Sequence, residues 1–263
     1  MQKLSTLKVS QTEVFSNARI KYLPDENGVF TPYELTCFNK AIYKKPGWET
    51  NSKKSKIKTE SLTGANSVEN QRKSYSRAKN NLFDILMSTI DFNCFVTLTF
   101  DDKKINRYDY NDVVKKLSVW LDNRVRRNNL KYCLVPEFHK DGAVHFHGLM
   151  NIEALKCERA HNPHTNKLMY DKSNRPIWNI IDFPYGFTTA ISLSGDDARI
   201  KCAKYCYKYI TKTNGQKVGG RYYLSGGHLG RPQFDHTNVD FEKINSPEFS
   251  LGFGNIKYKK IKL

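Results

Sequence analysis

Glu137-Phe138-His139-Lys140-Asp141-Gly142-Ala143-Val144-His145-Phe146-His147-Gly148-Leu149 is the stretch around which the chain is organised. Two histidines flank one bulky apolar residue. Side chains alternate between faces along a β-strand, so His145 and His147 point one way and Phe146 the other. Phe146 can enter a core while both imidazoles face outward, a geometry that suits a divalent metal on a sheet surface. Lys140-Asp141-Gly142 reads as a three-residue hairpin loop, a type I turn closed by a left-handed glycine. His139 then pairs with Ala143, Phe138 with Val144 and Glu137 with His145, and the carboxylate shares a face with both imidazoles. A two-residue Asp141-Gly142 loop would slip the register by one and send Glu137 to the opposite face. Pro136 cannot donate to a ladder, which calls for an edge position or a bulge.

Outward from the hairpin, Cys94 to Phe100 is rich in β-branched and aromatic residues and ends at Asp101-Asp102, the pattern of a central strand. Thr97 and Thr99 share one of its faces and read as ordinary strand residues. The next segment is an amphipathic helix. Asn111 or Asp109 can cap it, and Val113, Val114, Leu117, Trp120, Leu121 and Val125 follow at helical spacing. Lys131 to Phe138 and Ala143 to Met150 are the hairpin strands. Glu153 to Ile177 is polar and reads as an inserted loop whose His161 and His164 face solvent. Phe187 to Leu193 is a further strand. Upstream, Val29-Phe30 and Tyr33-Glu34-Leu35 are short strand-like pieces. Lys53 to Lys58 forms a basic loop, either lying on a phosphate backbone or simply solvated. Val68 to Met87 has a helical pattern. Short strands, turns and a basic tail follow Gly215.

Composition narrows the function classes. Lys and Arg number 43 against 26 Asp and Glu, a net charge of +17, and there are 15 Tyr and 15 Phe. A basic chain rich in aromatic rings points to a nucleic-acid partner. Cys37, Cys94, Cys133, Cys157, Cys202 and Cys206 form no CxxC pair, so reduced thiols in a cytoplasmic protein are expected rather than disulfides. A structural zinc site would need cysteines near the histidines, and none has that spacing. There is no apolar signal segment and no apolar run long enough to cross a bilayer, so no membrane partner is expected.

A second constellation follows Ser194-Gly195-Asp196-Asp197, which ends a strand and caps a helix. At about 100° per residue, Ile200, Ala203, Tyr207 and Ile210 fall on one face of that helix, and Lys201, Tyr205, Lys208, Tyr209 and Lys212 on the other. Tyr207 then reads as core. The lysine-flanked pair Tyr205 and Tyr209 is either an amphipathic surface with snorkelling lysines or a pair of nucleophiles. A phenol ionises near pH 10, so a tyrosine nucleophile needs cations or a metal beside it.

Phe95 to Phe100 (FVTLTF), His145-Phe146-His147 (HFH) and Tyr205 to Lys212 (YCYKYITK) occur in an order that resembles the three motifs of the HUH endonucleases. The likeness is to the rolling-circle replication initiators of bacteriophages and plasmids, in the two-tyrosine YxxKYxxK form. Cys206 stands where that family usually has an aliphatic residue, and Tyr207 adds a third tyrosine. The resemblance implies an α+β fold, a central antiparallel sheet of about five strands backed by helices, like an RNA-recognition or ferredoxin-like domain. It divides the chain into an N-terminal extension (1–90), a catalytic core (91–215) and a C-terminal extension packed on the core (216–263). It implies that His145, His147 and Glu137 hold Mg²⁺ or Mn²⁺, with His139 as the alternative third ligand. Tyr205 and Tyr209 become the nucleophiles, and Lys208 and Lys212 stabilise charge. Single-stranded or hairpin origin DNA is the implied partner, with Lys201, Lys204, Arg72, Lys73, Arg77, Lys53 and Lys54 as candidate DNA contacts and a host helicase and polymerase as further partners. An HUH transposase or relaxase, or a non-catalytic nucleic-acid-binding domain, are the competing readings.

Overall fold

The computed structural model describes residues 15–44, 65–212, 215–251 and 254–261. Lys53, Lys54 and the basic loop around them lie outside the described residues. The chain forms two compact units, Leu62–Arg231 and a second made of Met1–Ser61 with Pro232–Leu263. This division differs from three consecutive segments, because the two ends of the chain build one sheet together.

The N-terminal strands are β1 (Phe15–Ser16), β2 (Ala18–Pro24), β3 (Phe30–Phe38) and β4 (Tyr43–Lys44). Helix α1 (Ala65–Ser88), strand β5 (Cys94–Phe100), helix α2 (Tyr110–Asn128) and strands β6 (Tyr132–Phe138) and β7 (Val144–Met150) follow. Next come β8 (Cys157–Arg159), β9 (Trp178–Ile180), β10 (Gly186–Ser192), α3 (Gly195–Lys212) and β11 (Leu224–Gly226). The chain closes with β12 (Gln233–Thr237), β13 (Glu248–Leu251) and β14 (Gly254–Lys260). The α+β class expected from the sequence holds, with antiparallel pairing throughout the strand ladders.

The larger unit carries a seven-stranded sheet in the order β11-β6-β7-β5-β10-β9-β8. The expected five become seven because β11, β9 and β8 are only three residues long and give almost no periodic signal. Two of these short strands, β8 and β9, flank the polar insertion. One sheet face is packed by α2. Val113, Leu117, Trp120 and Leu121 bury against Val96, Leu98, Phe100, Val144, Phe146 and Met150. Asp109 caps α2 by accepting hydrogen bonds from the backbone N–H groups of Asn111 and Asp112, and Asn129 ends the helix in the left-handed conformation. Helix α3 packs on the opposite face against β6 and β7, with α1 beside it.

Both ends of α3 are tied to α1. The buried Arg199 guanidinium donates to the carbonyl of Met87 at 3.1 Å, satisfying a group that the last turn of α1 leaves open. The Tyr75 hydroxyl donates to the Ile210 carbonyl at 2.6 Å. These contacts fix where the tyrosine helix lies.

The smaller unit is a five-stranded sheet in the order β12-β2-β3-β14-β13. Ala18, Cys37, Phe241 and Ile244 form its small core. The short N-terminal pieces expected around residues 29–35 are one nine-residue strand, β3, supported on both sides by β2 and β14. Among the described residues, no helix is long and apolar enough to cross a membrane.

A candidate metal and tyrosine site

The hairpin adopts the three-residue loop. The His139 N–H donates to the Ala143 carbonyl at 2.8 Å, and Gly142 sits at φ +87°. Phe138 therefore pairs with Val144 and Glu137 with His145. Hydrogen-bonded and open pairs alternate along an antiparallel ladder. His139 is bonded to Ala143, so Pro136 occupies an open position opposite Phe146, and β11 pairs only as far as Leu134. The missing proline N–H thus leaves no ladder bond unmade.

On this face the pairs form rows across the sheet. One row runs Glu137, His145, Thr99, Phe187, and the next runs Val135, His147, Thr97, Thr189. Glu137 Oε2 lies 3.0 Å from His145 Nε2 and 2.8 Å from His147 Nε2, and the two imidazole nitrogens are 3.0 Å apart. Two neighbouring ligands of an octahedral ion at about 2.1 Å are separated by about 3.0 Å, so these three atoms fit one triangular face of such a shell. The remaining positions of that shell would be open to a substrate oxygen. Thr97 Oγ1 is 2.9 Å from His147 Nδ1, which occupies that nitrogen and leaves Nε2 for the cluster. His139 stacks edge-on against His145 with ring centroids 4.1 Å apart, yet it is outside the three-residue cluster.

The electrostatics suit ligation. Burial, reinforced by neighbouring His145, pushes His147 down to about 4. Burial also lowers His145, against the hydrogen bond to Glu137. For Glu137 burial acts to raise the carboxyl, but the hydrogen bond with His145 and the charges of both histidines hold it below its ordinary value. Neutral imidazoles beside an ionised carboxylate are the protonation state that metal binding requires.

Helix α3 brings the tyrosines over this cluster. The Tyr205 and Tyr209 hydroxyls are 2.6 Å apart, and the Tyr209 ring lies 5.3 Å from that of His147. Tyr205 is 41% exposed and Tyr209 only 8%. The sequence placed Tyr209 on the exposed lysine face. The structure corrects this, because the stripe turned to the sheet is Ala203, Cys206, Tyr209 and Ile210. Tyr207 is half-buried rather than core, with its ring edge-on to Phe83 of α1 at 5.8 Å. Cys206 is fully buried and fills the place of a small aliphatic residue. Burial first, then the hydrogen bond with Tyr205 and the charge of Glu137, raise the Tyr209 phenol above its ordinary value. The Lys212 ammonium lies over the Tyr209 ring at 4.7 Å.

The other candidates separate. Lys201, Lys204 and Lys208 are exposed along α3. Lys73 pairs with Glu69 at 2.7 Å, and Arg77 is exposed beside it. Arg72 lines a separate cleft on α1. His161 and His164 are exposed, as expected. Sequence reasoning passed over two residues. Thr97 read as an ordinary strand threonine, and only its cross-strand pairing with His147 reveals the contact. Phe187, 70% exposed at the open end of the Glu137 row, could have been found as an aromatic in a strand alternating with threonines.

Residues 93–214 match a family model for the replication-associated protein ORF2. The matched span runs from β5 through α3 and so contains the triad, Thr97 and both tyrosines. No curated protein and no solved structure matches the chain.

Proposed function

We propose that the chain initiates DNA replication by nicking single-stranded or hairpin origin DNA and rejoining the strand. The observation that carries this reading is the pair of phenol oxygens, 2.6 Å apart, held over a Glu-His-His cluster. The family match over the same span supports the replication role.

Glu137, His145 and His147 would hold a divalent cation. Bound there, it would withdraw charge from a phosphate oxygen. Two imidazoles with one carboxylate suit Mn²⁺ better than Mg²⁺, which prefers an all-oxygen shell. Tyr205 or Tyr209 attacks the phosphorus through its phenol oxygen. A Tyr–O–P bond forms, the P–O3′ bond breaks, and the phenol proton ends on the departing 3′ oxygen. The products are a 5′-phosphotyrosine and a free 3′-hydroxyl that can prime synthesis. Lys212, and Lys208 on the same helix, supply positive charge near the developing phenolate. The hydroxyl contact between the tyrosines lets the second accept a strand while the first is occupied. A host helicase and polymerase would then extend the primer.

The test is a denaturing gel of the full chain with labelled single-stranded origin DNA and Mn²⁺. A covalent protein–DNA band is expected. Binding without any such band would favour a non-catalytic DNA-binding domain. A transposase or relaxase would yield the same adduct but would join it to a target other than the 3′ end of its own origin.

A further inference from the structure

A cleft of about 470 Å³ in the larger unit lies apart from the triad and is lined by Gln71, Arg72, Tyr75, Gly215, Lys217 and Tyr222 among others. Its walls alternate flat rings and cations. Tyr75 and Tyr222 meet with ring centroids 5.4 Å apart. The Lys217 ammonium lies over Tyr222 at 4.8 Å, and the Lys79 ammonium over Tyr75 at 5.1 Å. Arg72 and Lys217 are exposed, and among the described residues neither makes an ion pair. Tyr75 is also the residue whose hydroxyl bonds the carbonyl of Ile210, the neighbour of Tyr209. The cleft is therefore anchored to the backbone of the tyrosine helix itself.

A nucleotide joins a flat base to a phosphate, the two features that this cleft offers side by side. Free cations beside aromatic faces are the recognition chemistry of single-stranded nucleic acid, where stacking is tolerant of sequence and phosphates supply the charge. A structural role would call for the cations to be paired with carboxylates, as Lys73 is with Glu69. We infer that this cleft seats one nucleotide of the DNA strand, its base on Tyr222 and its phosphate on Arg72 and Lys217, beyond the residues that react. The inference rests on the nicking function proposed above and adds a second holding point for the same strand. A nucleotide held there would keep the strand in register with Tyr209 while a second bond is cut or joined.

The experiment uses the full chain in EDTA, so that binding is read without metal. Fluorescence anisotropy with a labelled oligothymidylate is measured across salt for wild type, for Arg72→Glu with Lys217→Glu, and for Tyr222→Leu. Both charge reversals are at exposed positions and leave the fold intact, which thermal unfolding checks. The double reversal is expected to weaken binding about tenfold and to flatten the log–log salt dependence by about 1.4, the contribution of two phosphates on a single strand. Tyr222→Leu is expected to weaken binding about tenfold through lost stacking. Photocrosslinking with 5-iododeoxyuridine should map to the peptides holding Tyr75 or Tyr222. Free deoxynucleoside monophosphate should fail to compete at concentrations where the oligonucleotide does; effective competition would make this a free-nucleotide site instead. Unchanged affinity, unchanged salt dependence and crosslinks only elsewhere would overturn the inference. If the covalent adduct forms normally under those circumstances, the nicking function stands and the cleft falls. If crosslinks map to Tyr222 but no adduct forms, the cleft stands and the nicking function falls.

Discussion

The two faces of β7 use the same seven residues for opposite purposes. One face sends Val144, Phe146 and Met150 into the core under α2. The other carries His145 and His147 to the cluster with Glu137. Alternation along one strand keeps stability and chemistry on separate sides, so each can be removed with little effect on the other. That separation is the claim the following variants attack.

Replacing both nucleophiles, Tyr205→Phe with Tyr209→Phe, should remove the covalent adduct entirely on a denaturing gel, while oligonucleotide affinity stays near that of wild type. A residual adduct would place the nucleophile elsewhere. His147→Ala should lower Mn²⁺ affinity by more than about 100-fold in calorimetric titration, because a direct ligand is worth more than its supporting partners. Its unfolding free energy should change by less than about 1 kcal/mol, and a larger loss would mean that the site face also holds the fold together. The mirror variant is Phe146→Ala, a fully buried ring against Phe100, which should cost about 3–5 kcal/mol in urea unfolding. Thr97→Val keeps the shape but loses the contact with His147 Nδ1, and should weaken Mn²⁺ binding about tenfold without changing adduct chemistry at saturating metal. The smallest effect should come from Gly142→Ala. The new methyl has room, with Tyr110 Oη nearest at 3.9 Å, so only the left-handed backbone resists it, at about 1–2 kcal/mol.

The parts of the fold that were legible are local. The hairpin register followed from a turn of three residues and the alternation on either side of it. Helix α2 followed from five buried apolar residues at helical spacing and an aspartate cap. Strand β5 could be delimited from its own composition. The smaller unit was not legible, because β2 pairs with β12 and β3 with β14 across most of the chain's length, and no local pattern records such partners. Tyr209 was misplaced for a related reason. A helical wheel gives relative angles but no zero, and here the zero is set by Arg199 and Tyr75 tying α3 to α1. Thr97 illustrates the same limit at atomic scale, since its role exists only once β5 lies beside β7. The cluster itself was readable because all three of its ligands fall within eleven consecutive residues of a single hairpin.

That compactness has a genetic consequence. Removing the single codon for Lys140 keeps the ribosome in frame, yet it would shorten the loop to two residues and move Glu137 to the other side of the sheet from His145 and His147. To the translation machinery such an allele is conservative. To the sheet it is a frameshift, and a screen that tolerates substitutions at Lys140 should reject its deletion.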